Sequence, residues 1–80
     1  MNDSDPYRPV DCARYSELEV AILHRTPLHL QWTDPDGTTH IGRLLPRDLR
    51  TRDHAEFLLA VDENGEAVEI RLDRIVRFTS

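Results

Sequence analysis

The chain has 80 residues, enough for one domain, and a domain of this size buries only about 60–65% of the surface its unfolded chain exposes, so its core must be efficient. Its formal charge is −5 and every cation is arginine, with no lysine, which sets the whole chain against nucleic acid unless the arginines are segregated. The lone Cys12 excludes an internal disulfide, and without an apolar signal or spanning segment the chain reads as a reduced cytoplasmic protein with no membrane partner.

Met1 to Arg8 are polar around Pro6 and read as a mobile arm, leaving 9–80 as the domain proper. A helix is predicted over about 13–24. Asp11 or Cys12 stands at its start, Ser16 and Glu19 have the spacing of a capping box, and Tyr15, Leu18, Ala21 and Ile22 recur at helical period. Val20 and Leu23 lie on the other side, so the helix is apolar on two faces, both covered within the fold or one meeting a partner. Pro27 cannot continue the helix, which makes His24 to Thr26 its exit.

From Leu28 the period becomes two, as Leu28, Leu30 and Trp32 alternate with His29, Gln31 and Thr33 in a first strand. Asp34-Pro35-Asp36-Gly37 is a hairpin turn, with a second strand from Thr38 to about Leu45. Pro46 to Asp53 reads as an arginine-rich connection before a strongly apolar third strand, Glu56 to Val61. Asp62-Glu63-Asn64-Gly65 supplies another turn, its Asn-Gly pair having the two-residue hairpin signature. A fourth strand carries Val68, Ile70 and Leu72, and a corner at Asp73-Arg74 leads to a fifth, Ile75 to Thr79. The predicted class is therefore mainly β with one N-terminal α-helix, a strongly bent antiparallel sheet closing into a small Sm-like barrel or sandwich of about five strands. An OB-fold would want a helix between strands three and four, where only four turn residues stand, and an SH3-like barrel is the third option.

Charge is unevenly spread. Residues 1–24 and 53–69 are acidic, whereas Arg43, Arg47, Arg50 and Arg52 face only Asp48, and Arg71, Arg74 and Arg77 only Asp73. Solvated ion pairs account for any one such cluster, since exposed pairs contribute roughly 0–1 kcal/mol. No nucleophile elbow or phosphate-cradling glycine loop is present, and three glycines cannot assemble one. Cys12 with His24, His29, His40 or His54 lacks a third catalytic partner and a ligand spacing for metal, so neither an enzyme nor a cofactor is expected. The simplest role for Cys12 is a small, semi-buried hydrophobe at the helix start. Glu17 and Glu19 point in different directions and are no catalytic pair. Glu19 falls close to Tyr15 in azimuth, so the two form either an aromatic patch with an anionic edge for a basic partner, or a core tyrosine beside a capping acid.

The segment Tyr7-x-Pro9-Val10-x-Cys12-x-x-Tyr15-x-x-Leu18-Glu19-x-Ala21 resembles the N-terminal motif of the Rho-binding antiterminators, the Rof family. Asp48-Leu49-x-x-Arg52 with Glu56-Phe57-Leu58, and Arg71-Leu72-Asp73-Arg74-Ile75-x-x-Phe78, resemble its later motifs in the same order, so the likeness covers 7–78. The resemblance implies a helix plus an Sm-like β-fold without catalysis. It also implies a protein partner, the termination factor Rho, bound at its N-terminal OB-fold primary RNA-binding site so that RNA cannot engage. Carried over by position, the Rho contacts fall on Tyr15 and Glu19 of the helix and on Arg52 before the third strand. Where the enterobacterial pattern reads Cys-Asp-Asp-Tyr-Asp, this chain has Cys12-Ala13-Arg14-Tyr15-Ser16, while Asp11 and Glu17 replace asparagines. Arg14, Ser16, Asp11 and Glu17 therefore join the candidate surface. A direct Sm-like RNA binder using the arginines is the runner-up, disfavoured by net charge and few aromatics for stacking. An adaptor for an unknown protein is the third reading. No small-molecule substrate and no direct nucleic-acid contact are expected.

Overall fold

The first helix, α1, runs over Cys12–His24 and starts at Asp11, whose extended backbone and side chain form the N-cap. Asp11 Oδ1 accepts the Arg14 N–H at 2.8 Å, satisfying one of the orphan donors of the first turn. Ser16 lies inside the helix, so the capping box expected from Ser16 and Glu19 does not form; the cap falls to Asp11, five positions earlier. At the other end Arg25 adopts φ 56°, the left-handed conformation in which its N–H returns to Ala21 and Ile22 carbonyls, and Pro27 prevents continuation. The computed structural model describes residues 7–80. The arm expected over 1–8 thus lies outside the described residues up to position 6. Tyr7 and Arg8 are anchored, by a Tyr7 bond to Glu56 at 3.1 Å and by an Arg8 N–H bond to Asp73 at 2.9 Å.

Five strands follow: β1 Leu28–Thr33, β2 Thr39–Arg52, β3 Ala55–Val61, β4 Ala67–Arg71 and β5 Ile75–Thr79, with a 3₁₀ turn at Leu72–Arg74. All neighbours are antiparallel in the order β4-β3-β2-β1-β5. The two acidic turns are built alike. Asp34 Oδ1 accepts the N–H of Asp36 and Thr38, Asp62 Oδ1 that of Asn64 and Glu66, and Gly37 and Gly65 take φ of 88° and 81°. Asn64-Gly65 therefore belongs to a longer loop closed by Asp62 and Glu66, not to the two-residue hairpin its dipeptide signals.

The arginine-rich stretch 46–53, expected as a connection, is strand up to Arg52. Thr39 to Leu44 pair with β1 and Leu45 to Arg52 with β3, and an irregularity between Pro46 and Asp48 absorbs Arg47. Proline and charge disguise the strand, but a bulge is where a residue without an N–H is tolerated, and the arginines lie on the wet side. The two-residue turn is instead Asp53-His54, both at positive φ (53° and 64°), as a type I′ hairpin demands. Closure of the barrel does not occur: no ladder joins β4 to β5 among the described residues, and the 3₁₀ turn carries the chain from one sheet edge to the other. That corner buries Arg71, 5% exposed, whose Nε bonds Asp73 at 2.7 Å.

The core gathers Leu18 and Ala21 of α1 with Leu28, Leu30, Leu44, Leu58, Ile70, Leu72 and Ile75. Tyr15, Ile22, Trp32 and Phe78 close its margin. Thus the helix lays one stripe on the core-facing side of the sheet, and this fixes where its acids point.

Candidate functional site

Tyr15 is half-buried at the margin of the core, and Glu19, one turn on, is exposed. A third side chain joins them from β3. The Tyr15 hydroxyl is held above its usual pKa first by burial, then by the charges of Glu56 and Glu19, so both carboxylates act on this hydroxyl. Glu56 is itself held in place, since Tyr7 Oη donates to its Oε1 at 3.1 Å. Burial, and after it that hydrogen bond, push the Tyr7 phenol far above its ordinary value and keep it neutral. The site is therefore two half-buried tyrosines at the core margin, Tyr7 bonded to Glu56 and Tyr15 one helical turn before Glu19.

Sequence spacing does not bring Glu56 to this surface, because it lies 37 positions from Glu19. The signal was the alternation Glu56, Leu58, Ala60, which puts an acid on the core-facing side of a strand, where a charge needs a partner or an opening.

The other candidates divide. Asp11, Ser16, Glu17 and Glu19 are exposed on the helix, with Asp11 occupied as its cap. Glu17 borders an open groove of about 530 Å³ between α1 and β5, beside Val20, Leu28 and Phe78. Arg14 turns inward: its guanidinium donates to the carbonyls of Ile75 at 3.1 Å and Val76 at 2.9 Å and lies 5.5 Å from the centre of the Phe78 ring. It seals edge strand β5. Arg52 is set apart from the helix patch. Register puts Arg52 opposite Ala55 and Thr51 opposite Glu56, so Arg52 and Glu56 leave opposite faces of the ladder. Arg52 spans the Phe57 ring at 4.2 Å and reaches Glu69 at 2.6 Å. Cys12 is exposed, not the semi-buried hydrophobe expected, because it lies on the first turn away from the core stripe. Val20 and Leu23 are 55% and 77% exposed, so the second apolar side of the helix is uncovered within the fold. Among the described residues no three His, Cys, Asp or Glu side chains converge as a metal site, and no helix is long and apolar enough to cross a membrane.

Residues 9–80 match the family described as "Modulator of Rho-dependent transcription termination (ROF)". The chain belongs to the Rof family. It is 35% identical over 79 residues to Protein rof of Escherichia coli strain K12, covering 99% of this chain and 86% of that protein. Protein rof of Shigella flexneri matches to the same extent. Among solved structures the fold is similar to part of the proteasome accessory factor B/C (PafBC) of Arthrobacter aurescens, with a TM-score of 0.76 at 15% identity. That likeness covers 94% of this chain and 12% of PafBC, and at such identity it speaks for the fold alone. Rof membership makes the chain one of a family of termination modulators, which is not a class of enzymes.

Proposed function

We propose that this Rof protein inhibits Rho by binding the N-terminal OB-fold that first engages RNA, with the helix face taking the place of transcript phosphates. One observation carries the reading: Glu19 lies one helical turn from the half-buried Tyr15, and Glu56 is held by Tyr7 at 3.1 Å, so two carboxylates are presented beside two tyrosines at the core margin. A surface that holds RNA offers cations and stacking partners, and carboxylates fixed on a rigid element compete for the cations while a tyrosine competes for the rest. Asp11 and Glu17 extend the negative field along the helix, and net charge −5 favours encounter with a basic groove. Such an inhibitor works in the cytoplasm, without a cofactor and without touching RNA. Direct RNA binding gains little support, because the net charge of −5 opposes a polyanion and, of the arginines it would use, Arg52 and Arg71 are already paired with carboxylates.

The test is the affinity of Glu19→Lys for the isolated N-terminal domain of Rho. Reversal at an exposed position leaves the fold intact and costs affinity about tenfold or more, since an attraction becomes a repulsion. A folded variant with the parental dissociation constant removes the helix face from the interface.

A further inference from the structure

On the side of the β5-β1-β2 sheet turned away from α1, the register builds two rows: Arg77–Gln31–Ile41 and Thr79–His29–Arg43. Directly paired residues share a face, and the core-facing set, Leu28, Leu30, Leu44 and Phe78, occupies the other. This outer face carries no carboxylate in either row. Among the described residues Arg43 and Arg77 form no ion pair, and Arg77 Nε is oriented by Gln31 Oε1 at 3.0 Å, leaving its other donors to solvent. Ile41, 78% exposed, stands two residues from Arg43 on β2 and across Gln31 from Arg77. In a chain of net charge −5, a sheet face with two arginines outside any ion pair and an uncovered branched side chain beside one of them runs against the overall charge, with Asp62 and Glu63 bordering only its Arg43 end.

We propose that this face docks an acidic segment of another protein, with carboxylates that meet Arg43 and Arg77 and an apolar residue that covers Ile41. Charge complementarity selects an anion, since guanidinium groups pair with carboxylates in two-point contacts. The choice between peptide and polynucleotide rests on three further features. Neither row holds a Phe, Tyr or Trp, so the His29 imidazole alone could stack a base, Ile41 gives a phosphate backbone nothing to gain, and the chain as a whole repels a dense polyanion. An acidic peptide uses both the cations and the isoleucine. The face is separate from Tyr15, Glu19 and Glu56, so its occupation is independent of the Rho interface proposed above.

The experiment titrates the full chain into a short fluorescein-labelled peptide of alternating glutamate and leucine, with a serine-glycine peptide and an oligouridylate as the other arms, at low and moderate salt. The glutamate-leucine peptide binds, and salt weakens it. The Arg43→Gln/Arg77→Gln double variant loses about tenfold in affinity and Ile41→Ser about fivefold, amounts usual for two exposed charge pairs and one newly covered side chain. Circular dichroism of both variants matches the parent, and both bind the Rho N-terminal domain as the parent does. Equal binding of the serine-glycine peptide, binding of the oligouridylate alone, no binding in any arm, or an undiminished affinity of the double variant overturns the proposal.

Discussion

Glu56→Gln isolates charge from shape at the proposed Rho interface. Glutamine keeps the volume and still offers a carbonyl oxygen to the Tyr7 hydroxyl, which now donates to Glu56 at 3.1 Å, so only the negative charge is lost. Glu56 is half-buried, and a facing guanidinium about 5 Å away in a medium of effective dielectric between about 20 and 80 attracts it by about 1–3 kcal/mol. Part of this is returned because the charged form no longer has to be desolvated on binding. The remaining loss is about 1–1.4 kcal/mol, a five- to tenfold rise in Kd. Titration calorimetry against the Rho N-terminal domain at two ionic strengths reads this loss and a shallower salt dependence. A spectrophotometric titration of the tyrosines checks the cause: with Glu56 neutral, Tyr15 moves back toward its ordinary pKa, because Glu56 is the larger of the two charges that raise it. An unchanged Kd at low salt, in a variant whose urea midpoint matches the parent, would refute the assignment of Glu56.

Three further outcomes follow from the packing. Arg14→Ala removes two hydrogen bonds to β5 carbonyls and the cover over Phe78, costs about 1–2 kcal/mol in urea unfolding, and raises concentration-dependent self-association in sedimentation by baring a sheet edge; a parental midpoint and a parental monomer argue against edge sealing. Asp34 is held below the usual carboxylate pKa chiefly by its 2.7 Å bond to His40, so its contribution is present above about pH 4 and lost as pH falls through its lower folded value. Asp34→Asn therefore lowers the melting temperature near pH 6 and has less effect near pH 3, and equal effects at both contradict the pairing. Leu18→Ala, at a side chain 1% exposed, costs about 3 kcal/mol, whereas Leu23→Ala, at 77%, changes stability by less than about 0.5 kcal/mol; similar urea midpoints for the two contradict the assigned helix stripe.

Much of the fold was legible because local signals agreed with it. Tyr15, Leu18, Ala21 and Ile22 gave the buried stripe of α1, and the alternation from Leu28 gave β1. What failed was local chemistry overruled by tertiary context. Pro46 and the surrounding arginines read as a break, yet a bulge and a wet face make them strand. Asp53-His54 lacks glycine and still takes the two left-handed conformations of the tightest hairpin. Asn64-Gly65, with the stronger dipeptide, sits in a looser loop because Asp62 closes around it. The site was half visible. Spacing on one helix brought Tyr15 and Glu19 together, but Glu56 and the anchoring Tyr7 arrive through contacts across 49 positions, which no periodicity reports. Nor does sequence show that Arg14 is used internally, since an exposed ligand and an edge seal look alike until the neighbouring carbonyls are placed.

Displacement of labelled oligocytidine from the Rho N-terminal domain, followed by fluorescence anisotropy, asks whether the carboxylates of this chain stand where RNA phosphates go. The parental chain releases the oligonucleotide completely at saturation and less effectively as salt rises, and folded Glu19→Lys fails to release it at the same concentration. If the chain bound Rho while the oligonucleotide stayed in place, its carboxylates would not be standing where phosphates go, and competition with RNA would be contradicted.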